Sequence, residues 1–499
     1  MAVLRLLELA FITSCFSLTS ALLRNGRLRG NTMPMPVMPV IGVENTTSYA
    51  VTSLADELLP YDTAYYFDQL IDHNDPSLGT FQQRYWHTYE FYEPGGPIIL
   101  MTPGEANAAP YTGYLTNRTI NGLIAQQEHG SVIIIEHRFY GLSNPYPDLT
   151  VASLKYHTIQ QAIDDLEYFA KNVVLPMPNG ALTSWTMVNK PNTFWAGYAS
   201  SAVVEAIFDF WRYFEPIRQN MPQNCSADVA AVIAYVDDVF SGDNTTAINA
   251  TKDIFGLSEM SHLDDVAGSL RINLWDWQSL QPTSGPGAQF FEFCDALEVK
   301  NGENAPQAGW GLDHALSAWG SYFKDVYYPL NCLGTYNASQ DFWTNTDIDN
   351  DNRSWMWIVC NEVGFYQDGP PLNATVTPIV TRLVNVETFY DQRQCQMYFP
   401  EAFPGPPFPD TSNINTLYEG WDVSLDRIFF ATGIRDPWRE ATLSVQGLNV
   451  QSTDEMPIGL SDGFHCSDLS TTTGAVDATV GTVQASALAS MSTWLKEWK

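Results

Sequence analysis

The sequence predicts an α/β fold: a doubly wound, mostly parallel sheet interrupted by an inserted helical, disulfide-containing cap. Three observations carry that expectation. Pro97-Ile98-Ile99-Leu100-Met101 and Ser131-Val132-Ile133-Ile134-Ile135 are uninterrupted apolar runs, and strands lose their apolar–polar alternation when both faces of a sheet are covered. A crossover helix fits between them at 121–129, and helical spacing follows at Ile159–Val174; strand, helix, strand, helix is how a doubly wound domain begins. From about 205 to 415 the chain changes character, with helical patterns at Val229–Phe240 and His314–Val326, before strand patterns resume.

Taken in order, the chain opens on Arg5 and a mostly apolar run from Leu6 to Leu23, with Ser20 and Ala21 where a signal peptidase could cut. This reads as a signal peptide over 1–21. Residues 22–52 carry Arg24, Arg27 and Arg29 and a Met/Pro/Val alternation from Met33 to Pro39, an extended leader or propeptide-like segment instead of a folded element. The core is expected over 53–204 and 416–499, with the helical cap over 205–415. In the second core segment Arg427–Ala431 and Met456–Leu460 read as strands and Ala485–Glu497 as a closing helix.

Composition narrows the class. The 499 residues include 56 Asp and Glu against 24 Lys and Arg, for a net charge of −32. Aromatics make up 13% and charged residues only 16%, which excludes a disordered acidic tail or a coiled coil. Nucleic acid is excluded as a partner, since its affinity depends on clustered Lys and Arg. Such an acidic surface suits a protein working in acid, where protonation relieves self-repulsion. Eight N-x-[ST] sequons, at Asn45, Asn117, Asn224, Asn244, Asn249, Asn337, Asn352 and Asn373, agree with secretion and glycosylation; a vacuolar or lysosomal lumen is the alternative address. Beyond the signal, no segment approaches the length of a membrane span. Cys15 leaves with the signal, and Cys225, Cys294, Cys332, Cys360, Cys395 and Cys466 remain as disulfide candidates, up to three bonds of open connectivity. With no C-x-x-C pair and no H-E-x-x-H, neither a metal nor another cofactor is expected.

Two late segments carry the chemistry. Asp436 lies just past the strand at 427–431, and His465 just past the next one. Ligands and catalysis in open α/β sheets sit beyond the carboxyl ends of the strands. An acid followed by a histidine there is the second half of the Ser…Asp…His order of α/β-hydrolases, in which the imidazole takes the nucleophile's proton and the carboxylate fixes its tautomer.

At these residues the chain resembles the serine peptidases typified by prolyl carboxypeptidase and dipeptidyl peptidase II, and especially their secreted fungal members. The matching pieces include Phe67-Asp68-Gln69, Thr102-Pro103-Gly104-Glu105, Glu136-His137-Arg138-Phe139-Tyr140-Gly141, Tyr198-Ala199-Ser200-Ser201-Ala202, Asp436-Pro437-Trp438 and Gly463-Phe464-His465. The resemblance implies an α/β-hydrolase core, a helical cap, and cleavage of peptides or proteins after proline in acid. It makes Asp436 and His465 the acid and the base. Whether C-terminal residues or N-terminal dipeptides are released, or chains are cut internally, stays open, as does the oligomeric state.

The resemblance also exposes a departure. The family's nucleophile lies in a Gly-x-Ser-Tyr-x-Gly elbow, reached by a strand after the helix that here ends near Asn172. In this sequence Val173–Gly180 leads directly into Ala181–Met187, which resembles the helix following the elbow. A strand of about five residues and its serine are missing, an in-frame loss that fits a misplaced exon boundary in the gene reading. The chain as written is therefore expected to lack its nucleophile. Ser321 copies the letters Gly-Ser-Tyr inside a helical pattern, and Ser184, Ser200 and Ser201 are not placed in an elbow. Among softer candidates, Gly104 and Glu105 follow the strand whose loop supplies oxyanion-hole donors, and Glu105 could hold a substrate amine. Trp438 could wall a proline ring or pack in the core. Glu136 and Arg138 read as an ion pair.

Overall fold

In the computed structural model, residues 33–43, 58–175, 184–328 and 334–498 are described. The segment read as a signal peptide, residues 22–32 and 44–52 of the leader reading, Asn45 and Cys332 lie outside them. Strands β1 (Tyr65–Leu70) and β2 (Thr80–Thr88) are followed by β3 (Ile98–Met101), helix α1 (Ile120–Glu128), β4 (Ser131–Ile135), α2 (Ile159–Asn172), α3 (Ser184–Asn189) and β5 (Gly197–Ser200). The helical region includes α4 (Gln223–Ser241) and α5 (Leu312–Val326), after which come β6 (Ile428–Gly433), β7 (Ile458–Ser461) and α6 (Ala478–Lys496). Threonines start two of the helices. The Thr119 and Thr158 side chains accept the N–H groups of Gly122 and Gln161, satisfying donors that a first turn leaves orphaned.

The strands form two sheets. One has the order β1-β2-β4-β3, antiparallel except for the parallel β3–β4 pair; the other is parallel throughout, in the order β5-β6-β7. The same two layers cover both sheets. Ile133 and Ile135 of β4 share an apolar cluster with Phe169 of α2 and with Ile428 and Phe430 of β6. Their neighbours Val132 and Ile134 share the opposite cluster with Ile124 of α1, Phe429 and Ala431 of β6, and Val483, Ala487 and Met491 of α6. The period of two along each strand thus assigns β4 and β6 to one layer between the same helices, although they hydrogen-bond in separate sheets.

Residues 205–415 are mostly helical, with one short parallel ladder pairing Ile207–Asp209 with Gly364–Tyr366. Their core is aromatic: Trp275, Trp277, Trp319, Trp343, Trp355 and Trp357 are buried together. Disulfides join Cys225 to Cys294 and Cys360 to Cys395. Cys466, a disulfide candidate on sequence, is instead a free, buried thiol, packed with Phe429, Leu469 and Val483 between sheet and α6. Asn352 also departs from expectation. Its side chain is buried at 1% exposure and donates to the Tyr398 hydroxyl at 2.6 Å, so the folded chain has no room there for a glycan. Asn117, Asn244, Asn249, Asn337 and Asn373 are exposed, and Asn224 is half-buried.

The part of the leader that is described has no helix or strand, yet it is docked. Met33 and Met35 are buried in the helical region's core, while Ile41 packs with Tyr111 and Tyr114. Gln278 donates to the Met35 carbonyl at 2.6 Å, and Tyr114 to that of Pro39 at 2.7 Å. Glu136 and Arg138 do not pair with each other. Glu136 binds Arg84 of β2 through two contacts of 2.8 and 2.6 Å, and Arg138 binds Asp165 of α2 at 2.7 Å, so each is paired with a different element.

Candidate active site

β6 and β7 are parallel neighbours, so the loops leaving their carboxyl ends emerge side by side. The first carries Asp436, whose carboxylate accepts the Trp438 N–H at 2.9 Å and so caps the turn Pro437–Ala441. The second carries His465. Its Nδ1 lies 3.0 and 3.1 Å from the two Asp436 oxygens, and both side chains are buried. The carboxylate accepts the Nδ1 proton, which leaves Nε2 as the basic nitrogen of the neutral ring. Nε2 is buried and has no hydrogen-bond partner among the described residues.

Several groups hold the histidine loop. Gln281 donates to the His465 carbonyl at 2.8 Å, and the Ser201 hydroxyl accepts the Cys466 N–H at 2.9 Å. Asp468 accepts from the Tyr198 hydroxyl at 2.6 Å and the Ser200 hydroxyl at 2.9 Å, tying the loop to β5. Burial opposes charge on His465, but the Cys466 sulfur and the Asp436 carboxylate outweigh it and hold the imidazole well above its ordinary range. Sequence reasoning did not find Gln281 or these roles for Asp468, Ser200 and Ser201; no local motif marks them, since the contacts join segments far apart in the chain.

Glu105 follows β3 within electrostatic reach of His465, and burial raises its carboxyl against the opposing pull of its own N–H and of His465. Gly104 adopts a left-handed φ of 78°, and its N–H is directed at Thr102 Oγ1, 3.3 Å away. Trp438 is fully buried among Phe210, Tyr213, Trp355 and Phe365, with its indole N–H on Gln278 at 2.7 Å. It offers no surface to a proline ring; the expectation of a substrate wall gives way to core packing, because the large ring fills the space beneath the Asp436 turn. Ser321 lies exposed on α5, and Ser184 begins α3. Among the described residues, Cys225, Cys294 and Glu298 form the one grouping of metal-ligating types, and its two sulfurs are already bonded to each other. No helix of the described residues is long and apolar enough to cross a membrane.

Comparison with known proteins agrees in one direction. A sequence model described as serine carboxypeptidase S28 matches residues 69–265 and 291–484, which contain Asp436 and His465. A serine protease of Bipolaris victoriae, vicPa, is 34% identical over 83% of this chain and 86% of its own length. A probable extracellular serine carboxypeptidase of Arthroderma benhamiae is 26% identical, over 86% of this chain and 67% of that protein. The human thymus-specific serine protease is 22% identical over 86% of each. With matches of this extent, the chain belongs to the serine carboxypeptidase S28 family of serine-type peptidases.

Proposed function

We propose that this chain is the scaffold of a secreted serine peptidase that cleaves peptides after proline by acyl transfer, with Asp436 and His465 as acid and base. The single observation that carries the proposal is the buried Asp436–His465 pair with its unpartnered Nε2, the atom that takes a serine's proton in a triad. The extracellular address is supported by the relative named as extracellular and by the sequons. Parallel β3 and β4 together with β5-β6-β7 support an α/β-hydrolase core, with 205–415 as its cap. In a complete enzyme a serine attacks the scissile carbonyl, Nε2 takes its proton and later returns it to the leaving amine, and backbone N–H groups hold the oxyanion. The high proton affinity of His465 favours operation near or above neutrality over the acid range that composition suggests.

The lack of a hydrogen-bond partner for Nε2 among the described residues favours a second reading for the chain as written: a protein that binds proline-containing peptides without cleaving them, or a mis-spliced reading of an active gene. One experiment tests both. The 499-residue chain and a version with a Gly-x-Ser-Tyr-x-Gly elbow inserted between Leu175 and Ser184 are treated with a fluorophosphonate probe. The first should stay unlabelled and turn over about a million-fold slower; the second should label at the inserted serine. Labelling of the unmodified chain at Ser184 or Ser321 would overturn the proposal. Sequencing the transcript across codons 172–185 then separates a mis-spliced reading from a natural loss.

A further inference from the structure

Among the described residues, nothing pairs with the edges that β3 and β5 turn toward each other. In a parallel ladder each residue sends its N–H and C=O to one side, and successive residues alternate. The Pro97 carbonyl accepts the Ser131 N–H at 2.9 Å, so Pro97, Ile99 and Met101 face β4, and Ile98 and Leu100 face away. The Gly197 and Ser201 N–H groups donate to Arg427 and Ala431 at 2.8 and 2.7 Å, so Tyr198 and Ser200 also face away from their own sheet. Both outward-facing sets border one cavity of about 1110 Å³. Its two other walls are helical, with Leu166 and Ala170 of α2 on one side and Ile124 of α1 and Met491 of α6 on the other. These are the two layers that cover both sheets.

The dimensions fit one strand. A strand position is ~4.8 Å wide between neighbours, ~10 Å thick between layers and ~3.3 Å long per residue, or roughly 160 Å³ per residue. The cavity therefore holds about seven residues, and a strand of five to seven would pair on both sides and join the two sheets. Its direction follows from its neighbours, which are both parallel to the rest. Its carboxyl end would emerge where β3 leads to Glu105 and β5 to Ser201, whose hydroxyl holds the backbone of Cys466, the residue next to His465. We propose that the cavity is an acceptor site for one extended apolar strand, running parallel to β3 and β5, whose following residue is delivered to His465 Nε2. The identity of that residue as serine rests on the functional reading above; the acceptor site rests on the sheet edges.

The test supplies the strand as a separate peptide, acetyl-Thr-Val-Ile-Val-Val-Gly-Gly-Ser-Tyr-Ala-Gly, with Ser-to-Ala and scrambled versions, to the full chain. Site-resolved hydrogen exchange is read at the edge amides. Ile98, Leu100, Tyr198 and Ser200 should exchange at least tenfold more slowly with the serine or alanine peptide and not with the scrambled one, while Ile99, Met101 and Ala199 stay protected throughout. Only the serine peptide should then be labelled by a fluorophosphonate, its oxygen displacing fluoride from phosphorus as its proton passes to Nε2. Protection without labelling leaves the acceptor site standing and overturns the catalytic reading. No protection at those four amides, or slowing without the alternation, overturns the site. If the chain is recovered only as aggregate, refolding replaces exchange: more soluble protein with the strand peptides than with the scrambled one supports the site, and equal recovery overturns it.

Discussion

Asp436 touches only the Nδ1 side of His465, so its replacement changes the tautomer of the ring while the space around Nε2 stays as it is. In an elbow-restored enzyme Asp436→Asn should cut turnover by roughly four orders of magnitude with the fold intact, and His465→Ala by at least as much. Asp468→Asn should leave the rate far less affected, because Asp468 binds Tyr198 and Ser200 instead of the ring; equal damage from the two asparagine variants, measured as kcat/KM, would reassign the acid. The pair also has a pH signature that needs no nucleophile. His465 is held above its unfolded value of ~6.5, so the folded state keeps the proton longer than the unfolded state does. Its stabilising contribution is complete below ~6.5 and is lost as pH rises through the raised folded value. The Tm gap between the chain and its His465→Gln variant should therefore narrow from pH 5.5 to pH 8.5. In the restored enzyme the same shift makes kcat/KM fall on acidification from above the ordinary imidazole range.

At the scale of elements, the divided sheet predicts a fragile protein. Buried backbone groups left without partners cost ~1–3 kcal/mol each, against a total stability of ~5–15 kcal/mol. The chain as written should express poorly or unfold broadly, and the elbow-restored version should give a sharp transition at higher Tm; equal melting curves would mean the open edges are tolerated. The helical region should depend on its disulfides. Cys225–Cys294 spans 69 residues, worth about 4 kcal/mol by loop-closure entropy, so reduction should lower its melting before that of the sheets. Legibility in the sequence followed apolar runs and not burial as such, since β2 is mostly buried yet carries Gln83, Arg84 and His87. β4 was readable to the residue, and β3, β6, α2 and α5 to within two residues at each end, because their apolar runs or stripes are long. β1, with the sequence YYFDQL and a mixed pattern of burial, gave no clear period, and β2 was equally hidden. That Asp436 and His465 come together was legible from their places after strands. The partnerships around Asp468, Ser201 and Gln281 were not, since each joins residues 184 or more positions apart.

For the whole molecule, the charge of −32 and the buried acids act together. Burial raises Glu362 to about 7 and Asp351 and Asp209 to about 6. Each takes up its proton in the folded state before the unfolded chain does, so stability rises as pH falls through 7 to 6. Burial acts oppositely on the histidines: His87 is lowered to about 4, and His137 and His157 are lowered as well. They withdraw stability below ~6.5, where the unfolded chain protonates. The prediction is a Tm higher at pH 6 than at pH 8, with a decline in stronger acid; a monotonic loss from pH 8 downward would contradict it. The docked segment 33–43 has a mechanical consequence at the same scale. Its two ends sit in different apolar clusters: one joins the helical region with Phe139, Leu154, Ile163 and Trp438, and the other joins α1, β4, β6 and α6. Met33 and Met35 lie in the first and Ile41 in the second, with the Pro39 carbonyl held by Tyr114, so the segment staples the two clusters together. Any shift of one cluster against the other must first peel this strap from Gln278 and Tyr114, and a cut within 36–38 would leave the two cores joined by their own packing alone.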